Sequence, residues 1–99
     1  MDIEKINKEN MCIIKICGRL DTNSAPELDN ELQNITGNVS SLIFDLEKLD
    51  YISSAGLRII LATQKAMMKN GEMKLINVQS MVMEVFNATG FSDILTIEQ

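Results

Sequence analysis

The segment SLIFDLEKLDYISSAGLRIILATQKAMMKNG, Ser41 to Gly71, decides the fold. SLIFDL, Ser41 to Leu46, is a nearly continuous apolar run. Such a run predicts a strand covered on both faces, as in a parallel sheet. From about Ser54 to Lys69 the apolar residues Leu57, Ile60, Leu61, Met67 and Met68 recur at helical spacing, and Asn70-Gly71 marks the end. Strand and long helix are joined by Glu47 to Ser53, which carries an adjacent pair of hydroxyls at the helix start.

Working outward, MCIIKIC, Met11 to Cys17, is rich in β-branched residues and stops at Gly18, so it reads as a strand. DIEKIN before it predicts a short edge strand, with a hairpin through Lys8 to Asn10. SAPELDNELQNI opens a helix with a capping box of Ser24 and Glu27 and with Pro26 in the first turn. Leu28, Leu32 and Ile35 form its buried face, and Gly37 ends it. MKLINV is a further strand. Ser80 to Ala88 is a third helix that buries Val82, Val85 and Phe86 and ends at Gly90. FSDILTIEQ adds a last short strand. Strands alternating with helices predict an α/β domain with parallel pairing through right-handed crossovers. Ligand crevices in such sheets lie beyond the carboxyl ends of the strands. Gly18 to Asp21, Glu47 to Ser54, and Asn77 are expected to converge there.

Composition narrows the chemistry. The 99 residues suffice for one domain, 1–99, and 45% hydrophobic content argues against disorder. The net charge of −5, with no cluster of Lys or Arg, disfavours nucleic acid and suits a basic protein partner. The chain has no His, which removes His-based nucleophilic, acid–base and metal chemistry. Polar MDIEKINKEN does not read as a secretory leader, and no apolar run reaches the length of a membrane span. A cytoplasmic protein that is not a membrane component is therefore expected. Cys12 and Cys17 sit an odd number of residues apart, on opposite faces of one strand, and read as reduced, buried small hydrophobes with no metal to bind.

One of the two serines explains itself as an N-cap, accepting a hydrogen bond from a free backbone N–H. The second is left accessible beside Ala55-Gly56. A phosphate attached there meets the positive end of the helix and adds about −1.5 to −2 charge without melting it. SSAGL lacks the Lys and glycine spacing of a nucleotide-binding loop. There is also no GxSxG elbow to make a serine hydrolase.

DLEKLDYISSAGLRIILATQ resembles the signature of the anti-sigma factor antagonists, the single-domain members of the STAS family. GRLDTNSAPELDNEL is similar to the first half of that family, with Gly18, Leu20 and Asp21 matching, and VQSMVMEVFNATGFSDILTI to its closing helix and strand. The resemblance implies the STAS fold, a mixed, mostly parallel sheet of four to five strands with three to four helices. It also implies partner switching without catalysis by the antagonist or any cofactor. A serine kinase of the GHKL ATPase type, itself an anti-sigma factor, binds the unmodified antagonist and releases its sigma factor. Phosphorylation of the motif serine ends the complex, and a PP2C-type phosphatase restores it. Many members read Asp-Ser-Ser-Gly or Asp-Ser-Thr-Gly where this chain reads Ile52-Ser53-Ser54-Ala55-Gly56. Aligning on Gly-Leu places Ser54 at the first motif serine, with Ser53 as the alternative phosphoacceptor. Asp21 and Asp45 match acids of the pattern; with Ser53, Ala55, Gly56 and Arg58 they are the candidate partner-binding residues. Both acids are equally explained as turn and loop acids. A second reading is a STAS scaffold or adaptor outside sigma regulation, in a transport or signalling complex.

Overall fold

A computed structural model describes residues 1–98. Strands β1 (Asp2–Lys8) and β2 (Met11–Leu20) form the expected antiparallel hairpin. β3 (Ser41–Asp45) lies parallel to β2, β5 (Glu72–Ile76) parallel to β3, and β6 (Ile97–Glu98) parallel to β5, giving the order β1-β2-β3-β5-β6. The helices are α1 (Ala25–Gln33), α2 (Ser54–Met67) and α3 (Ser80–Thr89), and a single 3-10 turn, Phe91–Asp93, precedes β6. This is an α/β fold with a six-stranded, mostly parallel sheet. The sixth strand, β4 (Leu49–Ile52), pairs with the end of β2, in a stretch expected to be loop.

Residues alternate along the central strands. Cys12, Ile14, Ile16, Leu42, Phe44, Met73 and Leu75 are buried, while Ile13, Ile43 and Lys74 between them are only half-buried. SLIFDL is thus covered fully on one face rather than on both. Its apolar run arises because the second face carries Ile43 at its centre and Ser41 and Asp45 at its ends. Cys12 is buried, and burial pushes its thiol pKa up, whereas Cys17 on the opposite face is exposed, contrary to expectation.

Three helix details also differ. The stripe of α2 is Leu57, Ile60, Gln64 and Met67, joined by Gly56 and Thr63, and Met68 is 69% exposed. Met67 already occupies the inward position at the last turn, and the next residue lies about 100° further round. The capping box of α1 does not form. The Ser24 hydroxyl instead donates to the Arg19 carbonyl at 2.8 Å and accepts from the Asp21 N–H at 2.9 Å. α1 also ends before Gly37, at Gln33, and Ile35 reaches the core from the turns that follow. α3 ends as expected, at a left-handed Gly90 (φ 80°). Among the described residues no helix is long and apolar enough to cross a membrane.

Candidate functional site

The site is built by a switch in the pairing of β2. At Gly18, φ is +102°, a conformation that favours glycine, and the register shifts between Gly18 and Arg19. Met11 to Lys15 of β2 pair with β3; from Gly18, which faces Leu49, β2 pairs with β4, and beyond the shift Arg19 faces Tyr51 and Leu20 faces Ile52. The Ser53 N–H then donates to the Leu20 carbonyl at 2.9 Å. A backbone bond from the end of β2 therefore sets where α2 begins.

That bond divides the work of the two serines. Ser53 is extended (φ −95°, ψ 174°) and caps α2: its hydroxyl accepts from the Gly56 N–H at 3.3 Å, and its carbonyl from the Leu57 N–H at 2.9 Å. Ser54 is the first helical residue, and its side chain is exposed. Ala55 is half-buried against the core. Gly56, expected to leave open space beside the serines, does the reverse. It is buried, and a Cβ there would stand 2.7 Å from Leu20 Cγ and 3.0 Å from Ile52 Cγ1. It is glycine because the first turn of α2 rests directly on the β2–β4 pair. A partner contact for Gly56 is thereby replaced by a packing role. Arg58, one turn along, is exposed.

Asp21 stands at the turn after β2. Its Oδ1 accepts from the backbone N–H groups of Asn23 (3.0 Å) and Ser24 (3.1 Å). These bonds, that from Ser24 first, hold its carboxyl below the usual carboxylate range against the opposing effect of desolvation. The Arg19 guanidinium lies 4.1 Å above the Tyr51 ring, with Nε 3.9 Å from Asp21 Oδ2. This stack borders the serine turn.

Asp45 belongs to a different group. Its Oδ1 accepts from the Glu47 N–H at 3.2 Å and from Asn77 Nδ2 at 3.1 Å, while the Gln79 side-chain amide donates to the Glu47 carbonyl. These bonds tie the turn after β3 to the chain after β5, where Asn77 is left-handed (φ 56°). Asp45 also lines a cavity of about 270 Å³ with Lys15, Cys17 and Lys48, on the less covered face of the sheet. The expected convergence thus resolves into two clusters. One joins Arg19 and Asp21 to Tyr51, Ser53 and Ser54; the other joins Asp45 and Glu47 to Asn77 and Gln79.

Sequence reasoning missed Tyr51 and the groove it shares with α3. Tyr51 is 39% and Met81 68% exposed, and Asp50, Val82 and Glu84 are among the other residues of the groove walls. A lone Tyr in a chain with only four aromatic residues is the signal that was available.

The chain matches the STAS domain family over residues 2–99. BtrV of Bordetella bronchiseptica is 34% identical over 91 residues, covering 90% of this chain and 78% of that protein. The anti-sigma-B factor antagonist of Bacillus subtilis is 30% identical over 98 residues, covering 98% and 90%. Among solved structures, the anti-sigma factor antagonist SpoIIAA shares the fold. Its unphosphorylated form has a TM-score of 0.79 at 17% identity, with 99% of this chain and 88% of that one covered. The phosphorylated form of Bacillus SpoIIAA has a TM-score of 0.77 at 18% identity, covering 99% and 92%. The chain belongs to the STAS domain family.

Proposed function

We propose that this STAS domain is an anti-sigma factor antagonist that works by partner switching, with Ser54 as its switch. In the unmodified state it binds a serine-kinase anti-sigma factor of the GHKL type, and a sigma factor is released. The kinase then phosphorylates Ser54. The Ser54 oxygen bonds to the γ-phosphorus of ATP as the bond to ADP breaks, and the hydroxyl proton passes to a base of the kinase. A PP2C-type phosphatase uses water to return the hydroxyl and free phosphate. The antagonist itself catalyses nothing, and the exchange takes place in the cytoplasm.

The observation that carries this reading is the division of labour at α2. The Ser53 hydroxyl is committed to the Gly56 N–H, and that of Ser54 points to solvent. Asp21, Ser53, Ala55 and Arg58 border the contact. Arg19 lies beside Asp21 at this surface and Arg58 is exposed on α2, so the charge there is mixed and added charge alone does not repel a partner. The phosphate ejects it because a close interface over this hydroxyl leaves a dianion without solvation. Burying the dianion, which one neighbouring cation neutralises only in part, costs several kcal/mol, or roughly a hundredfold or more in affinity. That the fold matches SpoIIAA almost equally in both phosphorylation states supports a switch that works at the surface.

The test uses the GHKL kinases of the source genome with ATP, mass spectrometry and a binding assay. Ser54→Ala should bind the kinase and resist phosphorylation, Ser54→Asp should bind at least tenfold more weakly, and Ser53→Ala should still accept phosphate. Phosphate on Ser53 would overturn the site. Absence of binding to any such kinase would favour a scaffold role.

A further inference from the structure

Resting on Ser54 as the phosphoacceptor, we propose that Arg58 is the resident counter-ion of the phosphorylated form, its guanidinium binding the Ser54 phosphate within the same helix. Ser54 and Arg58 are four residues apart in the uninterrupted helix Ser54–Met67, and both are exposed. Residues at that spacing share a face, with Cβ atoms about 5–6 Å apart. A long side chain in a helix leans towards the N-terminus, so Arg58 reaches back over Ser54. Guanidinium and phosphate match as a two-pronged hydrogen-bonded pair.

Arg58 is also uncommitted. The sequence of α2, SAGLRIILATQKAM, contains no acid, so no carboxylate on its own helix competes for it. Among the described residues the ion pairs are Lys5–Glu31, Arg19–Asp21 and Lys74–Glu98, and none uses Arg58. The other charged groups at this end are already placed. Arg19 lies over Tyr51 beside Asp21, Asp21 accepts backbone N–H groups, and Asp50 with Glu84 faces the groove under α3. Phosphorylation therefore changes the contact surface twice. It adds a dianion at Ser54, and it draws away a cation that the unmodified surface offers to its partner.

The test needs no kinase. Phosphoserine is incorporated at position 54 during translation, in the Arg58 chain and in Arg58→Gln, and the phosphate is titrated by phosphorus NMR at low salt. A phosphoserine has its second pKa near about 6, and a partner cation favours the dianion. Arg58→Gln should raise that pKa by about 0.3, the shift expected of an exposed pair at this spacing. Arg58→Lys should fall between the two. Equal pKa values in all three chains would overturn the role of Arg58 and leave the phosphorylation reading intact. Kinase-delivered phosphate on Ser53 would sink that reading without affecting the titration.

Discussion

Ser53 and Ser54 are chemically the same residue one position apart, and their surroundings make them different. Ser53 completes the hydrogen bonding of a helix end; Ser54 completes nothing in the fold. Removing a serine cap costs about 1 kcal/mol, which for a domain of this size lowers Tm by roughly 4–8 °C. Ser53→Ala should show that loss by calorimetry, and Ser54→Ala should melt close to the parent chain. Equal melting of the two would show that the cap carries no weight. Asp21 makes a second residue-scale prediction. Its folded pKa lies below the unfolded value, so its contribution is fully present above about pH 3.9 and is lost as pH falls through the folded pKa. Asp21→Asn should therefore flatten the acid limb of the stability profile below about pH 4, in urea titrations across pH 2–6. An unchanged acid limb would mean that other carboxylates govern it.

The junction of α2 with the β2–β4 pair is the element that positions the site. Helix propensity alone favours Gly56→Ala by about 1 kcal/mol. Packing opposes it, because the new methyl group meets Leu20 and Ile52 at 2.7–3.0 Å. Overpacking a filled site costs about 1–3 kcal/mol, so the net effect should be destabilising. The change should also disturb the Ser53 cap, which depends on the Gly56 N–H. Chemical denaturation reads the first effect and amide shifts at residues 53–57 the second. A stabilised Gly56→Ala chain would refute the close-packing account. β4 belongs to this scale too. LDYI is a four-residue strand with Leu49 and Ile52 buried and the two residues between them exposed, so it lacks the alternation by which strands are recognised. Its identity as a strand comes from its partner, the end of β2, which lies about 30 residues earlier in the chain.

Taken whole, the molecule is a six-stranded sheet with three helices that carries the proposed switch at one turn. The β2–β3–β5 core and α3 share no hydrogen bond with the Ser54 side chain, among the bonds of the described residues. Phosphorylation should thus move amide signals mainly over residues 50–58 and the turn at Asp21. Widespread shifts across MCIIKIC and α3 would instead reveal a global rearrangement. How this fold is encoded differs from part to part. The order of strands and helices apart from β4, the start of α2 at the serine pair and the end of α3 at Gly90 were legible in the sequence, because apolar period and capping residues are local signals. The two-faced burial expected for SLIFDL was not borne out, since its period does not report which face the helices cover. Nor were the capping box at Ser24 and Glu27 and the inward Met68. There the Asp21 turn and Met67 satisfied the same needs first. Sequence alone determined that two serines open a helix on an α/β sheet, through the spacing of neighbours within a turn or two. Tertiary structure alone decided which serine is bound and which is free. The shift of β2 at Gly18 brings Leu20 beside Ser53, and a contact between segments so far apart leaves no periodic trace in either.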